Sequence, residues 1–317
     1  MISLLGMLKL SYNLSLTLKK HLQSIESSRK EILTASINPK VELRLRWEAM
    51  VDRIYFALGS GRSHLTKKET IKLLSRQRNK LTAEEKEVIN LRNAFTYINQ
   101  NWLISRRNIT FRVVEELLDM LKIKRGVSYT AERVNSVLTY LQTGNDHPFV
   151  QSAIIQDQID RGEGDMRLYA LIASLMGYIF IYKYGYDIRG LLILEGYWSS
   201  EAETINKIKL ETEKSGNLTG WLEYYTQCVD RELERIKKEI EDIRFHTETG
   251  ASFWELSSRQ KEIIGLLEEP DKTITNRVVQ KEFGVSQITA SRDLSRLAII
   301  GLLYPHGKGR SVYYTRV

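Results

Sequence analysis

Two stretches of this 317-residue chain carry residue types that could do chemistry. The first is RGEGDMR, residues 161 to 167. A carboxylate at Glu163 or Asp165 could take a hydroxyl proton, and the Arg167 guanidinium could grip a phosphate. Charge and glycine ahead of an apolar run also make up a solvated loop at a helix start, and that is the reading adopted. The second stretch is SQITASRDLSR, residues 286 to 296. Hydroxyls, an amide and guanidiniums on one helix could read base edges and neutralise phosphates. From Thr273 onward seven Lys or Arg (Arg277, Lys281, Arg292, Arg296, Lys308, Arg310, Arg316) stand against two acids (Glu282, Asp293), so seven minus two gives a local +5 out of a net +8.

Helices must position both stretches. Four prolines, at 39, 148, 270 and 305, leave long helices permitted almost everywhere. TFRVVEELLDMLKI repeats apolar residues at helical spacing through Val113, Val114, Leu117, Leu118 and Leu121. TAERVNSVLTYLQTG opens on Thr130 as a cap and closes at Gly144. DHPFVQSAIIQDQI takes Asp146 as N-cap, with Pro148 in the first turn. WLEYYTQCVDRELERIKKEIEDIRF reads as one long helix.

The C-terminal pattern is sharper. SSRQKEIIGLLEEP has a capping box, Ser257 with Gln260, an apolar stripe of Ile263, Ile264, Leu266 and Leu267, and a stop at Pro270. TNRVVQKEFGVS is a short helix ended by Gly284, which can take the left-handed conformation that turns the chain steeply. The next helix is capped by Ser286. It turns Ala290, Leu294, Leu297 and Ala298 to one side and Gln287, Ser291, Arg292, Ser295 and Arg296 largely away. LLYPHGKGRSVYYTRV then reads as two short strands joined by a Gly-Lys-Gly-Arg turn.

Composition sets bounds. A content of 42% hydrophobic and 27% charged residues is that of a globular chain, with length for about two domains. The single cysteine, Cys228, excludes an intrachain disulfide, suits a reducing compartment and reads as core filler. The longest uncharged run, Leu168 to Tyr182, has 15 residues, which is short for a membrane span and suited to a buried helix. The first twenty residues lack a basic leader and a cleavage site, so no signal peptide is expected. A cytoplasmic location without membrane attachment and without a metal site is therefore predicted. The basic balance, with pI ≈ 9.3, hints at a polyanionic partner.

Helix, turn, helix, hairpin is the order of a winged helix. FGVSQITASRDLSRLAIIGLLYPHGKGRSVYY resembles bacterial and archaeal winged helix-turn-helix regulators. The resemblance implies a double-stranded DNA partner, read by Ser286, Gln287, Thr289, Ser291, Arg292 and Arg296 from the helix and by Lys308 and Arg310 from the wing. The other use of such a unit is protein contact or dimerisation, and a polar, cationic outward face argues against it.

The remainder resembles the Fic family, helical enzymes that typically transfer AMP from ATP to a hydroxyl. The likeness is carried by IYKYGYDIRGLLILEGYW (residues 181 to 198), GNLTGWLEYYTQCVDRELE (216 to 234), LTAEEKEVINLRNAFTYI and HPFVQSAIIQDQI, within about residues 45 to 245. Many Fic proteins also end in a winged helix. The family motif, H-P-F-x-[DE]-G-N-G-R-x-x-R, supplies a histidine base, an acid for a divalent metal, and glycines and arginines for the nucleotide phosphates. His147-Pro148-Phe149 is not that motif, because VQSAII follows it. By the resemblance His147 fits a helix-start role sixteen residues before the motif histidine. That count lands on Glu163, with Asp165 for phenylalanine, Arg167 for the metal acid, Leu168 to Leu171 for Gly-Asn-Gly-Arg and Ser174 for the last arginine. A gapped register pairs Gly162 to Asp165 with Gly-Asn-Gly-Arg and puts Asp157 at the histidine. Neither leaves a histidine. The family's inhibitory S-x-x-x-E-G motif has Gly61 where its glutamate would fall.

The expectation is a mainly α protein: a Fic-like helical bundle over 1–248 (N-terminal helices 1–105, core about 106–248) and a winged helix over 252–317. Its function would be transcriptional regulation through DNA, on a Fic-like domain without catalysis, as a homodimer and without a cofactor. The rivals are a divergent nucleotidyltransferase using ATP and Mg²⁺, and a scaffold holding a protein partner in the Fic-like groove.

Overall fold

The computed structural model describes residues 11–59, 64–75, 80–123, 131–160, 166–248, 256–267, 272–299, 302–307 and 312–316. Contacts divide the chain into two compact units, Met1–Thr34 with Arg44–Ile236, and Ala35–Leu43 with Lys237–Val317. The fold is mainly helical, with a small antiparallel sheet near the C-terminus. Glu163, Asp165, Lys308 and Arg310, together with Gly61, Thr130, Gly162 and Pro270, lie outside the described residues.

Along the chain α1 (Leu16–Thr34), α2 (Pro39–Gly59), α3 (Lys67–Ser75), α4 (Ala83–Trp102), α5 (Phe111–Met120) and α6 (Ala131–Thr143) precede the central pair of the first unit, α7 (Pro148–Asp160) and α8 (Met166–Lys183), with the start of α2 up to Leu43 counted in the second unit. α9 (Glu195–Ser200), α10 (Ala202–Ser215) and α11 (Thr219–Glu248) follow, α11 being counted in the second unit from Lys237 onward. α7 is buried almost all round, from Phe149 through Asp157. A helix buried on nearly every side lies inside a bundle, and its polar side chains Gln151, Ser152 and Gln156 find hydrogen-bond partners there. α8 packs on it along the uncharged run, with Tyr169, Ile172, Leu175, Met176 and Ile179 inaccessible to solvent. Gly177 makes this close approach possible. A Cβ there would stand 2.8 Å from Ser152 Oγ and closer still to Gln156 Nε2. Among the described residues no helix is long and apolar enough to cross a membrane.

α11 closes the pair with polar pins. Tyr225 Oη hydrogen-bonds Ser152 Oγ at 2.7 Å and accepts from Gln156 Nε2 at 3.0 Å, while Trp221 Nε1 donates to the Ala153 carbonyl at 2.8 Å. Cys228 is buried as filler, and burial pushes its thiol up to about 11. α1 buries Leu18, Ile25 and Ile32, one residue in seven, and lies along α11. Hydrogen bonds from Ser28 Oγ to Glu234 (2.9 Å) and between His21 Nδ1 and Thr226 Oγ1 (3.2 Å) fix its register.

Arg53 of α2 is wholly enclosed. Its guanidinium donates to the carbonyls of Leu192 (2.7 Å) and Gly190 (3.0 Å) and to Tyr182 Oη (3.2 Å). These carbonyls belong to a turn in which Ile188 (φ 50) and Arg189 (φ 57) take the left-handed conformation. That is strained for a side chain branched at Cβ, and the arginine's bonds help hold it. Glu195 lies in the same pocket and accepts from Tyr178 Oη at 3.0 Å. Burial raises its carboxyl to about 7, against the lowering pull of Arg53.

One cap is corrected. α7 starts at Pro148, and His147 caps it: its Nδ1 accepts from the Phe149 amide at 3.2 Å, and its Nε2 meets Glu26 at 2.9 Å. Asp146 instead accepts from Tyr12 Oη. The aspartate is drawn off by a partner 134 residues away, which no local pattern reports.

In the second unit, α12 (Ser258–Gly265) carries the expected capping box of Ser257 and Gln260. Strand β1 (Ile274–Thr275) leads into α13 (Asn276–Phe283), a turn at Gly284, α14 (Gln287–Ile299) and a hairpin of β2 (Leu303–His306) and β3 (Tyr313–Arg316). The sheet order is β1-β3-β2, all antiparallel, a winged-helix-like arrangement. β1 pairs Ile274 with Tyr314 and Thr275 with Tyr313, a third strand too short for a sequence pattern. The core gathers Ile263, Ile264, Leu267, Ile274, Val279, Ala290, Leu294, Leu297 and Leu303. Leu266, expected in the stripe of α12, is on the wet side. Leu267, the next residue, keeps its expected place in the core.

Candidate nucleic-acid interface

Gly284 adopts φ 61, the left-handed conformation that lets α14 leave α13 steeply. Ser286 caps α14, its Oγ accepting from the Thr289 amide at 3.2 Å. α13 pins the same end: Asn276 Nδ2 donates to the Gln287 carbonyl at 3.1 Å, and Gln280 Nε2 donates to Asn276 Oδ1. Neither residue was singled out from the sequence. Asparagine at a helix start reads as a generic polar residue until the next helix is folded back on it.

The inner side of α14 buries Ala290, Leu294 and Leu297 completely. Beside them Asp293 is only 6% exposed. It accepts from Arg259 Nε at 2.6 Å and from Gln260 Nε2 at 2.8 Å. Gln260 thus closes the capping box through Oε1 and holds α14 through Nε2. A buried carboxylate is tolerable only with such partners. Asp293→Ala leaves Arg259 and Gln260 without their acceptor and should cost about 2 kcal/mol. Amide exchange in α12 and α14 of the full chain should then quicken roughly 30-fold. Unchanged protection would show that the pin is not needed.

The outer side presents Ser286, Gln287, Ser291, Arg292, Ser295 and Arg296 to solvent, with Thr289 half-buried. The six helix residues expected from the sequence are thus brought together on and beside one face. Lys281 of α13 is exposed nearby in sequence. Missed from the sequence was Ile288, 66% exposed among these polar groups. The hairpin is stiffened by His306, whose ring stacks on Tyr313 at 4.7 Å and whose Nε2 meets Thr315 Oγ1 at 2.9 Å. Burial holds the His306 imidazole below its ordinary value.

In the helical unit, Arg167 is exposed in the first turn of α8. Asp157, the alternative candidate for the motif histidine, is buried in α7, with Gln158 Nε2 donating to its carboxylate at 2.8 Å. Among the described residues no group of three or more His, Cys, Asp or Glu is placed to hold a metal ion.

The fold matches solved Fic structures. A Fic family protein from Desulfovibrio desulfuricans superposes with a TM-score of 0.62 at 13% identity, covering 97% of this chain and 98% of that one. A Fic domain containing signaling protein from Bacteroides thetaiotaomicron gives 0.56 at 16% identity over 70% of this chain and 98% of that one. Fic-1 from C. elegans gives 0.53 at 16% identity over 71% and 73%. No family model and no curated protein matches the sequence. The chain therefore has the Fic fold, with a winged-helix-like end.

Proposed function

We propose that the chain is a DNA-binding transcriptional regulator built on a Fic-like helical unit that has lost catalysis. The observation that carries this reading is the outer face of α14. Hydroxyls, an amide and two guanidiniums face solvent from a helix capped at its start, pinned behind by Asp293 and set at a steep turn from α13. That is the chemistry of major-groove readout. Residues near the start of α14, Ser286, Gln287, Thr289, Ser291 and Arg292, meet base edges. Arg296, with Lys308 and Arg310 of the wing, meets phosphates.

The loss of catalysis is supported by residue types. In the ungapped register Arg167 replaces a metal-holding acid, and in the gapped one a buried carboxylate replaces the base. The helical unit then serves to dimerise the chain or to respond to an effector, and a two-fold dimer would set paired half-sites.

Titrating labelled random-sequence duplex by fluorescence anisotropy at several salt concentrations tests the reading. Binding should weaken linearly in log salt, by about 0.9 per phosphate neutralised. Absence of binding at low salt would remove the proposal.

A further inference from the structure

We infer that Ile288 reads the 5-methyl group of a thymine in the DNA site. The assignment rests on the DNA-binding reading of α14 and adds to it what one base must be.

Ile288 is the second residue of α14 and 66% exposed. It takes no part in the core formed by Ile263, Leu294, Leu297 and their neighbours. Residues three, four and seven positions on share its side of the helix, which places Ile288 in one stripe with Ser291, Arg292 and Ser295. An apolar group at the head of a polar, cationic stripe leaves hydrocarbon in water, a cost that burial against another apolar group recovers. The cationic surroundings suit a polyanion. Among the groups a base pair presents in the major groove, the methyl of thymine is the apolar one.

Two further features make the side chain a fixed probe. The start of α14 is held at two points, by Ser286 on the Thr289 amide and by Asn276, itself fixed by Gln280, on the Gln287 carbonyl. Branching at Cβ leaves isoleucine one strongly preferred χ1 in a helix. The two carbons on Cβ therefore stand in one place before DNA arrives, and contact costs little side-chain entropy.

The test uses the full chain and a duplex enriched by it from a random pool. Each thymine is replaced in turn by deoxyuridine, which lacks only the methyl. Replacement of the contacted thymine in one half-site should weaken wild-type binding about fourfold, the value of one methyl-sized contact. The same replacement should have no effect on Ile288→Ala, whose melting temperature should match wild type. If no thymine replacement weakens the wild type, or if the loss persists in Ile288→Ala, the assignment is wrong. If no duplex is enriched at all, the DNA reading itself has failed, and a protein-facing α14 takes its place.

Discussion

Arg292→Ala lowers affinity for the enriched duplex by roughly 10- to 100-fold, the worth of one bidentate arginine–guanine contact. The position argues for this size. Arg292 lies one turn beyond Ile288, exposed on the outer stripe, next to the buried Asp293 that holds α14 to α12. Its stem is therefore carried on a part of the helix that cannot roll. The loss should be largest for the preferred sequence and small for random duplex, so discrimination falls. Arg296, a turn further along, has the opposite signature. Its removal should weaken every duplex alike and reduce the salt slope by about one. Titrations of both variants on enriched and random duplex separate the roles. Equal, sequence-independent losses for the two would show that neither reads a base.

The second large effect lies in the helical unit and concerns pH. Glu195 is fully enclosed with Arg53, Tyr178 and Ser174, and its carboxyl is raised from 4.5 to about 7 by burial, Arg53 pulling the other way. The folded state thus holds this proton more tightly than the unfolded chain. Its stabilising contribution is full below pH about 4.5 and is lost as pH rises through about 7. The span corresponds to on the order of 3 kcal/mol. Glu195→Gln keeps the shape and an acceptor for Tyr178 but has nothing to titrate. Urea unfolding of both proteins at pH 5 and pH 8 should show the wild type losing on the order of 3 kcal/mol relative to the glutamine variant. Parallel pH dependence in the two would mean that the carboxylate is charged in the folded state throughout.

Much of the winged-helix-like end was legible in the sequence. Ala290, Leu294 and Leu297 alternate with Ser291, Arg292 and Arg296 at helical spacing, Gly284 marks the turn, and Ser257 with Gln260 marks the start of α12. Each signal is local, within about one helical turn. What escaped was long-range. Asp293 reads as a wet acid because its partners, Arg259 and Gln260, are 34 and 33 residues away in sequence. β1 has two residues, fewer than any periodicity needs. In the helical unit the apolar run of α8 announced a buried helix, whereas Arg53 on α2, a charged residue next to Asp52, was not singled out as one that would be enclosed. The left-handed Ile188 and Arg189 that it supports break the usual preference for glycine. Ile288 was visible as an apolar residue, but only its exposure in the folded unit separates a probe from core.

The most direct measurement is selection of duplexes from a random pool by the full-length chain at physiological salt. The account predicts enrichment of one sequence, present as paired half-sites and containing thymine. A pool that stays random after repeated rounds, with retention no better than that of an unrelated basic protein, would contradict it.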